Sequence, residues 1–105
     1  MSMASTVQGE RWAALAIHPD DDVAVALRDL AAGETVAVRL GARVVSAIVR
    51  DAIPMGHKMA LHAIASGAPI RKYGQTIGAA TVDIAAGAHV HVHNVTSRRA
   101  RAHKA

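Results

Sequence analysis

The sequence predicts a mainly β domain, a single small unit of short strands and tight turns. A seven-residue pattern, apolar-Ala-small-Gly-x-x-apolar, occurs three times, at residues 30–36, 64–70 and 84–90. Glycine adopts positive φ readily, so each copy predicts a tight turn after which a strand begins, with its first apolar residue anchored in the core. The copies begin 34 and then 20 residues apart, which argues against a solenoid of fixed period.

Alternating apolar residues after the first turn predict a β-hairpin. Apolar side chains occupy every second position over residues 36–40 and again over residues 45–49, and Gly41-Ala42 lies between the two runs. Two alternating runs around a short glycine-containing loop are typical of paired antiparallel strands.

The third turn precedes an alternation of a different kind. Val90 and Val92 fall on one face of a predicted strand, and His89, His91 and His93 fall on the other. This strand would extend to residue 93 and display its imidazoles on a polar face.

Glycine and proline interrupt the remaining segments. Pro54 and Gly56 predict a loop in the middle of the chain. Gly74 and Gly78 flank three residues, a spacing that indicates a turn or a bulge.

Two segments fit both a helix and a strand. In residues 20–32, Val23, Leu27 and Leu30 form a helical stripe, whereas Val23, Val25 and Leu27 alternate as in a strand. Residues 57–64 have the same two interpretations. The acidic run at 20–22 predicts either a solvated loop or a helix N-cap.

Length and composition exclude several protein classes. The chain has 105 residues, enough for one small domain, and it has no cysteine, which excludes a disulfide scaffold, a thiolate metal site and a cysteine nucleophile. No apolar run approaches the roughly 20 residues of a membrane span. Residues 1–10 lack the features of a secretory signal, so we expect a cytoplasmic protein without membrane contact.

The net charge of +4 is confined to the C-terminal end. Four of the twelve Lys and Arg residues lie in residues 98–105, and residues 1–97 carry eight basic and eight acidic side chains. Nucleic-acid modules spread positive charge over a face and add stacking aromatics, but Trp12 and Tyr73 are the only large aromatic residues here. We therefore expect no nucleic-acid partner and interpret residues 97–105 as a basic, disordered tail.

The histidines offer the sharpest chemical motif, His89-x-His91-x-His93-Asn94. Residues two apart on a strand stand about 6.5 to 7 Å apart on one face, so two imidazoles there can bind one metal ion. Three cannot, because the outer pair would be about 13 Å apart. An exposed polar face, the lining of a polar cleft and metal ligation all remain open.

Two further motifs pair a cation with another functional group. In Gly56-His57-Lys58, an imidazole that titrates near neutrality precedes a lysine, which suits proton transfer or anion binding but is also common on surface loops. Lys72-Tyr73-Gly74 places a cation and a phenol beside a flexible glycine, where the ring alternatively packs over the turn.

Taken in order, these motifs resemble the N-terminal SAF-type domain of the altronate/galactarate dehydratase family and the related small subunit of sulfolactate sulfo-lyase. The resemblance covers residues 17–96, with residues 1–16 as an N-terminal extension and residues 97–105 as the tail. It is carried by Asp22-Val-Ala-Val-Ala-Leu27, the Gly33 turn, Gly56-His57-Lys58-x-Ala60-Leu61, Ile64-x-x-Gly67, Lys72-Tyr73-Gly74-x-x-Ile77-Gly78-x-Ala80 and Asp83-Ile84-x-x-Gly87-x-x-Val-His91-x-His93-Asn94.

The resemblance implies a β-clip fold and favours a strand over residues 23–27. For activity, it implies a metal-dependent hydro-lyase of sugar-acid catabolism, which removes a proton α to a carboxylate and expels the β-hydroxyl as water. Such a reaction needs a cation near the carboxylate and an acid for the leaving hydroxide. The implied cofactor is a divalent metal, iron or a similar ion, held mainly by a large domain.

The chain ends at Ala105 without that large domain, so the resemblance implies a separate small subunit that docks on a larger catalytic subunit and is inactive alone. Its site residues would be His57, His91 and His93 as catalytic groups, and Lys58, Lys72 and Asn94 as substrate-binding groups, with the metal ligands unassigned. The alternative is a non-catalytic SAF-type module that binds a ligand or partner, as in sialic-acid synthases and assembly factors of flagella and pili.

Overall fold

A computed structural model describes residues 11–97 and confirms the predicted mainly β class. Within those residues the chain forms nine strands and no helix. The strands are β1 (Ala14–Ala16), β2 (Val23–Ala26), β3 (Thr35–Leu40), β4 (Arg43–Ile48), β5 (Lys58–Ala60), β6 (Pro69–Lys72), β7 (Gln75–Ala80), β8 (His89–Val90) and β9 (Val95–Ser97). The described residues include no helix that could cross a membrane.

The strands form a six-stranded sheet and a three-stranded sheet. The large sheet has the order β4-β3-β1-β2-β5-β8, and the small one has the order β9-β7-β6. All neighbours are antiparallel except β1 and β3, which are parallel. Strand β1 lies inside the large sheet although the sequence assigned residues 1–16 to an extension. The predicted tail at 97–105 lies, apart from Ser97, outside the described residues.

The repeated pattern forms type II β-turns, as the three sequence copies predicted. In each turn a glycine with φ between 81° and 92° occupies the third position, and the fourth residue donates its N–H to the carbonyl of the first at 2.9–3.1 Å. Residues 54–57 form a fourth turn of the same kind, which the sequence pattern missed because Pro54 replaces the usual alanine and Met55 replaces the usual small residue. The chain thus uses one turn design four times.

The apolar residue immediately before each turn, its opening residue, is buried, and its backbone pairs with the opening residue of another turn. Leu30 and Ile53 exchange two backbone hydrogen bonds of 2.8 and 2.9 Å, and Ile64 and Ile84 exchange two of 2.8 Å. These four side chains are 1–4% exposed, so each opening residue anchors its turn in the core as expected.

An aspartate stabilises each of the two turn pairs. The Asp29 carboxylate accepts a hydrogen bond from the Met55 backbone N–H at 2.8 Å. The Asp83 carboxylate accepts the equivalent bond from the Ser66 N–H, also at 2.8 Å. Each aspartate immediately precedes an opening residue and fixes the facing turn.

The two hairpins follow the sequence closely. Strands β3 and β4 pair around Gly41-Ala42, as the alternation predicted. Strands β6 and β7 pair around Tyr73 and Gly74, whose φ values of 57° and 75° indicate a type I′ turn. A shift in the β6–β7 register leaves Ile77 as a bulge, which confirms the irregularity that Gly78 indicated.

Both ambiguous segments form strands. Strand β2 pairs with β5 in an antiparallel register that places Val23 opposite Ala60 and Val25 opposite Lys58. Pairing satisfies the backbone groups of both short segments within the sheet, where Val23, Ala24 and Ala26 are buried. The strand interpretation favoured by the resemblance is therefore confirmed over residues 23–26.

The acidic run is neither wholly solvated nor a helix cap. Asp21 is 4% exposed and accepts hydrogen bonds from the N–H groups of His18 and Gly74. Asp22 accepts a hydrogen bond of 2.7 Å from the Arg71 N–H. These carboxylates fix the segment before β2 to the β6–β7 hairpin, a long-range contact that the local sequence does not reveal.

Alanine substitutions at Gly67 and Gly87 will separate two costs in otherwise equivalent turns. A Cβ at Gly67 meets nothing within 4 Å, whereas a Cβ at Gly87 collides with the carbonyl oxygen of Ile48. Since φ is 86° and 81°, we expect Gly67→Ala to lower the free energy of unfolding by about 1–2 kcal/mol through backbone strain. Gly87→Ala should cost about 1–3 kcal/mol more, through steric overlap, in chemical denaturation. Equal losses would contradict the close approach.

His62 gives the fold a measurable pH dependence. Its Nδ1 lies 2.9 Å from the Ala63 carbonyl oxygen and its Nε2 lies 2.8 Å from an Asp22 carboxylate oxygen, so both contacts favour the imidazolium. The Ala63 hydrogen bond and the Asp22 carboxylate together raise the pKa of His62. The resulting stabilisation is complete below the unfolded-state pKa of about 6.5 and is lost as pH rises through the folded-state pKa.

Denaturation of wild type and His62→Gln at pH 5.5 and pH 8.5 will test this. We expect the substitution to lower the free energy of unfolding at pH 5.5 by less than about 1 kcal/mol, because the pair is exposed, and to cost less at pH 8.5. The same cost at both pH values would show that the ion pair contributes nothing.

Candidate functional site

The turn at residues 54–57 and strand β8 bring two distant histidines together. His57 ends the turn and directly precedes β5, and β5 pairs with β8 so that Met59 lies opposite His89. The His57 Nδ1 and His89 Nε2 atoms are 2.9 Å apart, and the ring centroids are 5.1 Å apart. His57 thus lies where the loop predicted from Pro54 and Gly56 enters β5.

The predicted strand over residues 89–93 is wrong, because β8 ends at Val90 and residues 91–94 form a turn. The Asn94 N–H donates to the His91 carbonyl oxygen at 3.1 Å, and Val92 is 82% exposed instead of facing the core. The chain curls back, so the ring centroids of His89 and His93 are only 5.3 Å apart. The separation of about 13 Å for an extended strand does not apply.

The Asn94 side chain stabilises this turn. Asn94 is only 6% exposed. Its Oδ1 accepts a 3.0 Å hydrogen bond from the His91 N–H, and its Nδ2 donates a 2.9 Å hydrogen bond to the His89 carbonyl oxygen. These contacts assign Asn94 a positioning role for the two histidines. Its predicted contact with substrate remains a prediction.

Three imidazoles form a stacked group, the tri-histidine cluster of His57, His89 and His91. The centroids of His57 and His91 are 4.2 Å apart and those of His89 and His91 are 5.5 Å apart, with interplanar angles of 21° and 10°. One nitrogen from each ring lies within 4.8 Å of the other two. The cluster therefore takes only His89 and His91 from the predicted strand, and its third ring, His57, comes from the turn before β5.

Electrostatics lower the pKa of two of the imidazoles in this cluster, His89 and His91. Burial lowers the pKa of His89 and of His91, and the neighbouring imidazoles lower both further. Lys58 adds to the effect on the pKa of His91, whereas Asp51 partly opposes it at His89. A neutral imidazole keeps one nitrogen lone pair free to accept a proton or bind a metal ion.

The two lysines lie on strands that follow one another in the chain, Lys58 on β5 and Lys72 on β6. Lys58 is half-buried, and its burial lowers the pKa of its ammonium group. The positive charge of Lys72 lowers this pKa to a smaller extent. The Lys72 Nζ lies 4.8 Å from the centroid of the Tyr73 ring, and Tyr73 is 55% exposed at the hairpin turn. The two cations thus act on the same region, with Lys58 nearer the cluster.

A pocket of about 230 Å³ opens beside His91, where the two sheets meet. It is lined by Lys58, Ile77, Val90, His91, Val92 and Val95, from β5, β7, β8, the 91–94 turn and β9. Its walls are mainly apolar, with one ammonium group and one imidazole. Such a pocket suits a small molecule that carries a negative charge.

Two residues with clear structural roles were absent from the predicted site. His89 touches the other three histidines of the site, and its alternation with His91 and His93 was the signal that pointed to it. Asp51 accepts a 3.0 Å hydrogen bond from the His89 N–H and fixes the start of β8. The sequence gives no indication of Asp51, since 38 residues separate it from its partner.

Comparison with known proteins matches nearly all of the described chain to one family model. Residues 12–98 match the altronate/galactarate dehydratase SAF domain. This match extends a few residues beyond the segment at 17–96 on which the sequence motifs lie.

Individual relatives agree with that match. The chain is 51% identical over 78 residues to altronate dehydratase of Escherichia coli K12, which covers 74% of this chain and 15% of the relative, and 50% identical with the same coverage to that of Bacillus subtilis. It is 47% identical over 51 residues to (2R)-sulfolactate sulfo-lyase subunit alpha of Chromohalobacter salexigens, covering 49% of this chain and 54% of the subunit. The match therefore spans a small part of the dehydratases and about half of the lyase subunit.

Removing the Asn94 amide should loosen the histidine turn. We expect Asn94→Ala to lower the free energy of unfolding by about 1–3 kcal/mol, because it leaves buried backbone groups of His89 and His91 without partners. Asn94→Asp is the matched variant, since it keeps an acceptor for the His91 N–H and loses the donor to the His89 carbonyl. Chemical denaturation and the histidine ring NMR shifts report both effects, and an unchanged cluster in Asn94→Ala would contradict the positioning role.

Proposed function

The chain belongs to the altronate/galactarate dehydratase SAF-domain family, and from this premise we propose that it is the small subunit of a metal-dependent hydro-lyase that dehydrates a sugar acid. It would contribute residues to a cleft shared with a larger catalytic subunit and would be inactive alone. The family match supports a dehydratase- or lyase-related domain; the substrate, the shared cleft and the partner are the proposal.

One observation carries the proposal: ionisable groups from separate parts of the chain converge beside a pocket. His57 comes from the turn before β5, whereas His91 and His93 come from the turn after β8. Lys58 and His91 line the same pocket. Convergence of groups that the fold itself does not need is typical of a reactive site.

The lysines are suited to holding the acid group of the substrate. A sugar acid carries at least one carboxylate, and the ammonium groups of Lys58 and Lys72 supply complementary positive charge. Apolar walls around Lys58 weaken screening by water, which strengthens its attraction for an anion. We propose that Lys58 binds the carboxylate in the pocket and that Lys72 adds to the positive field.

The histidines are suited to the two proton transfers of a dehydration. One imidazole must remove the proton α to the carboxylate, and an acid must protonate the departing hydroxide. His91 lines the pocket and is placed to exchange a proton with substrate, with His57 stacked on it and the exposed His93 nearby. A divalent ion such as iron, held mainly by the larger subunit, would supply positive charge at the carboxylate when bound.

Two features support a larger partner. The sulfo-lyase relative is by name a subunit alpha, and the dehydratase relatives extend far beyond the matched segment. Val92, an apolar residue at the pocket, is 82% exposed and would be covered by a docked surface. We propose that the partner covers the pocket on this side.

Reconstitution tests the proposal. The tagged chain should retain a much larger protein from its own cell extract, and the pair should dehydrate one of a panel of acids that includes altronate and galactarate, with sulfolactate tested for desulfonation. We expect His57→Ala, His91→Ala and His93→Ala to reduce kcat at least about 100-fold, as expected for lost acid–base groups. Lys58→Met and Lys72→Met should mainly raise KM.

His18→Ala is the matched control, because His18 is a half-exposed histidine outside the tri-histidine cluster. It should leave turnover by the reconstituted pair unchanged, and circular dichroism should confirm that each variant folds. Wild-type turnover by the three histidine variants would disprove their catalytic roles. Binding of a partner or ligand without any lyase activity would instead favour the non-catalytic module.

A further inference from the structure

We propose that the tri-histidine cluster of His57, His89 and His91 is a binding site for a divalent transition-metal ion, which this chain holds without help from a partner. The proposed function places the reaction's metal mainly in the larger subunit, so this inference goes beyond it. Ion binding here depends only on the geometry of the cluster.

The nitrogen spacing fits coordination. Imidazole nitrogens bind zinc and similar ions at about 2.0–2.1 Å, so two nitrogens on one ion lie about 2.9–3.4 Å apart for bond angles between 90° and 109°. The His57 Nδ1 and His89 Nε2 atoms are already 2.9 Å apart. One nitrogen from each of the three rings lies within 4.8 Å of the other two, and rotation of the stacked His91 ring about its side-chain bonds would bring its nitrogen to bonding distance.

The same 2.9 Å contact also fits a hydrogen bond between one protonated and one unprotonated ring nitrogen. The third ring distinguishes the two interpretations, because a hydrogen-bonded pair needs no further imidazole. Here His91 stacks on His57 with centroids 4.2 Å apart, and a nitrogen of its ring lies within 4.8 Å of a nitrogen of each of the other two. The presence of this third nitrogen favours an ion over a simple pair.

The ligand set indicates the class of ion. Three imidazoles, with no carboxylate or thiolate among them, suit zinc, iron, cobalt, nickel or copper and not magnesium or calcium. Three protein ligands leave at least one coordination position open, as in catalytic zinc sites. His91 also lines the pocket of about 230 Å³, so a ligand bound there can reach that position.

The scaffold holds the ligands before any ion arrives. The His89 N–H donates a hydrogen bond to Asp51, and the His89 carbonyl oxygen accepts one from Asn94. Asn94 also accepts a hydrogen bond from the His91 N–H. His57 ends a hydrogen-bonded turn that is anchored through Ile53. Such preorganisation reduces the ordering cost of binding.

The surrounding charge determines what completes the site. Lys58 and Lys72 already make this region positive, and an added divalent ion raises the charge further. An anionic ligand on the open position would offset that charge. We therefore infer that the bound ion takes a carboxylate as its additional ligand. Ion binding and proton exchange at His57 and His91 exclude each other, so the acid–base roles proposed above for these two residues apply to the ion-free cluster. In the metal-bound state His93 would remain the free imidazole.

Metal titration of the purified full-length chain tests the site. After chelator treatment, Co²⁺ should bind at one equivalent with visible d–d absorption, and Zn²⁺ should compete for the same site. His57→Ala, His89→Ala and His91→Ala should each weaken Co²⁺ binding at least tenfold, whereas His18→Ala should leave it unchanged. Co²⁺ binding of equal strength in wild type and in all three cluster variants would overturn the proposal.

A measurement on wild type avoids any dependence on variant folding. Zn²⁺ should shift the ring nitrogen NMR signals of His57, His89 and His91 and leave those of His18 and His62 unchanged. No shift at a Zn²⁺ concentration of 100 µM, or shifts spread over all histidines, would overturn the site. Acetate should then change the absorption of the Co²⁺-loaded chain, and an unaltered spectrum would overturn the carboxylate part.

Lyase activity need not be measured in either experiment. Specific metal binding without sugar-acid turnover by the reconstituted pair would defeat the proposed function and leave this site intact. Turnover that depends on the histidines, in a chain that binds no ion, would defeat the site and leave the function.

Discussion

Reciprocal backbone pairing between turns is the constraint on which the domain depends. Leu30 pairs with Ile53, and Ile64 pairs with Ile84, so two buried bridges tie together four turns of one design. Strands as short as two residues form few interstrand hydrogen bonds, so strand pairing alone gives this small domain little stability. Hydrogen bonds that satisfy turn backbone in the interior therefore contribute stability that strand length does not provide.

The same constraint builds the candidate site. The Ile53 bridge fixes the turn that ends at His57, and the Ile84 bridge fixes the turn that leads into β8 and His89. The pairing of β5 with β8 then brings the two histidines into contact. The position of the two histidines is thus a consequence of the hydrogen bonds between turns, and the imidazoles themselves contribute little to the core.

Positive and neutral groups share the site in an unusual balance. Burial and neighbouring imidazoles lower the pKa of His89 and of His91, while Lys58 and Lys72 bring positive charge to the same region. Among the described residues, Lys58 is the only charged side chain that lines the pocket, so the pocket favours an anion. Both proposals, substrate carboxylate and ion-bound carboxylate, follow from that one electrostatic property.

The sequence alone determined the three repeated turns, the β3–β4 hairpin, the mainly β class and the family resemblance, because these depend on local φ preferences and on alternation. It left residues 20–32 ambiguous, since only pairing with β5 decides between helix and strand. It also misjudged residues 89–93, because the alternation of His and Val was given more weight than Asn94, whose side chain forms a local turn through hydrogen bonds to His89 and His91. The convergence of His57 with His89 depends on backbone pairing across 32 residues, which local pattern does not encode and only the folded chain decided.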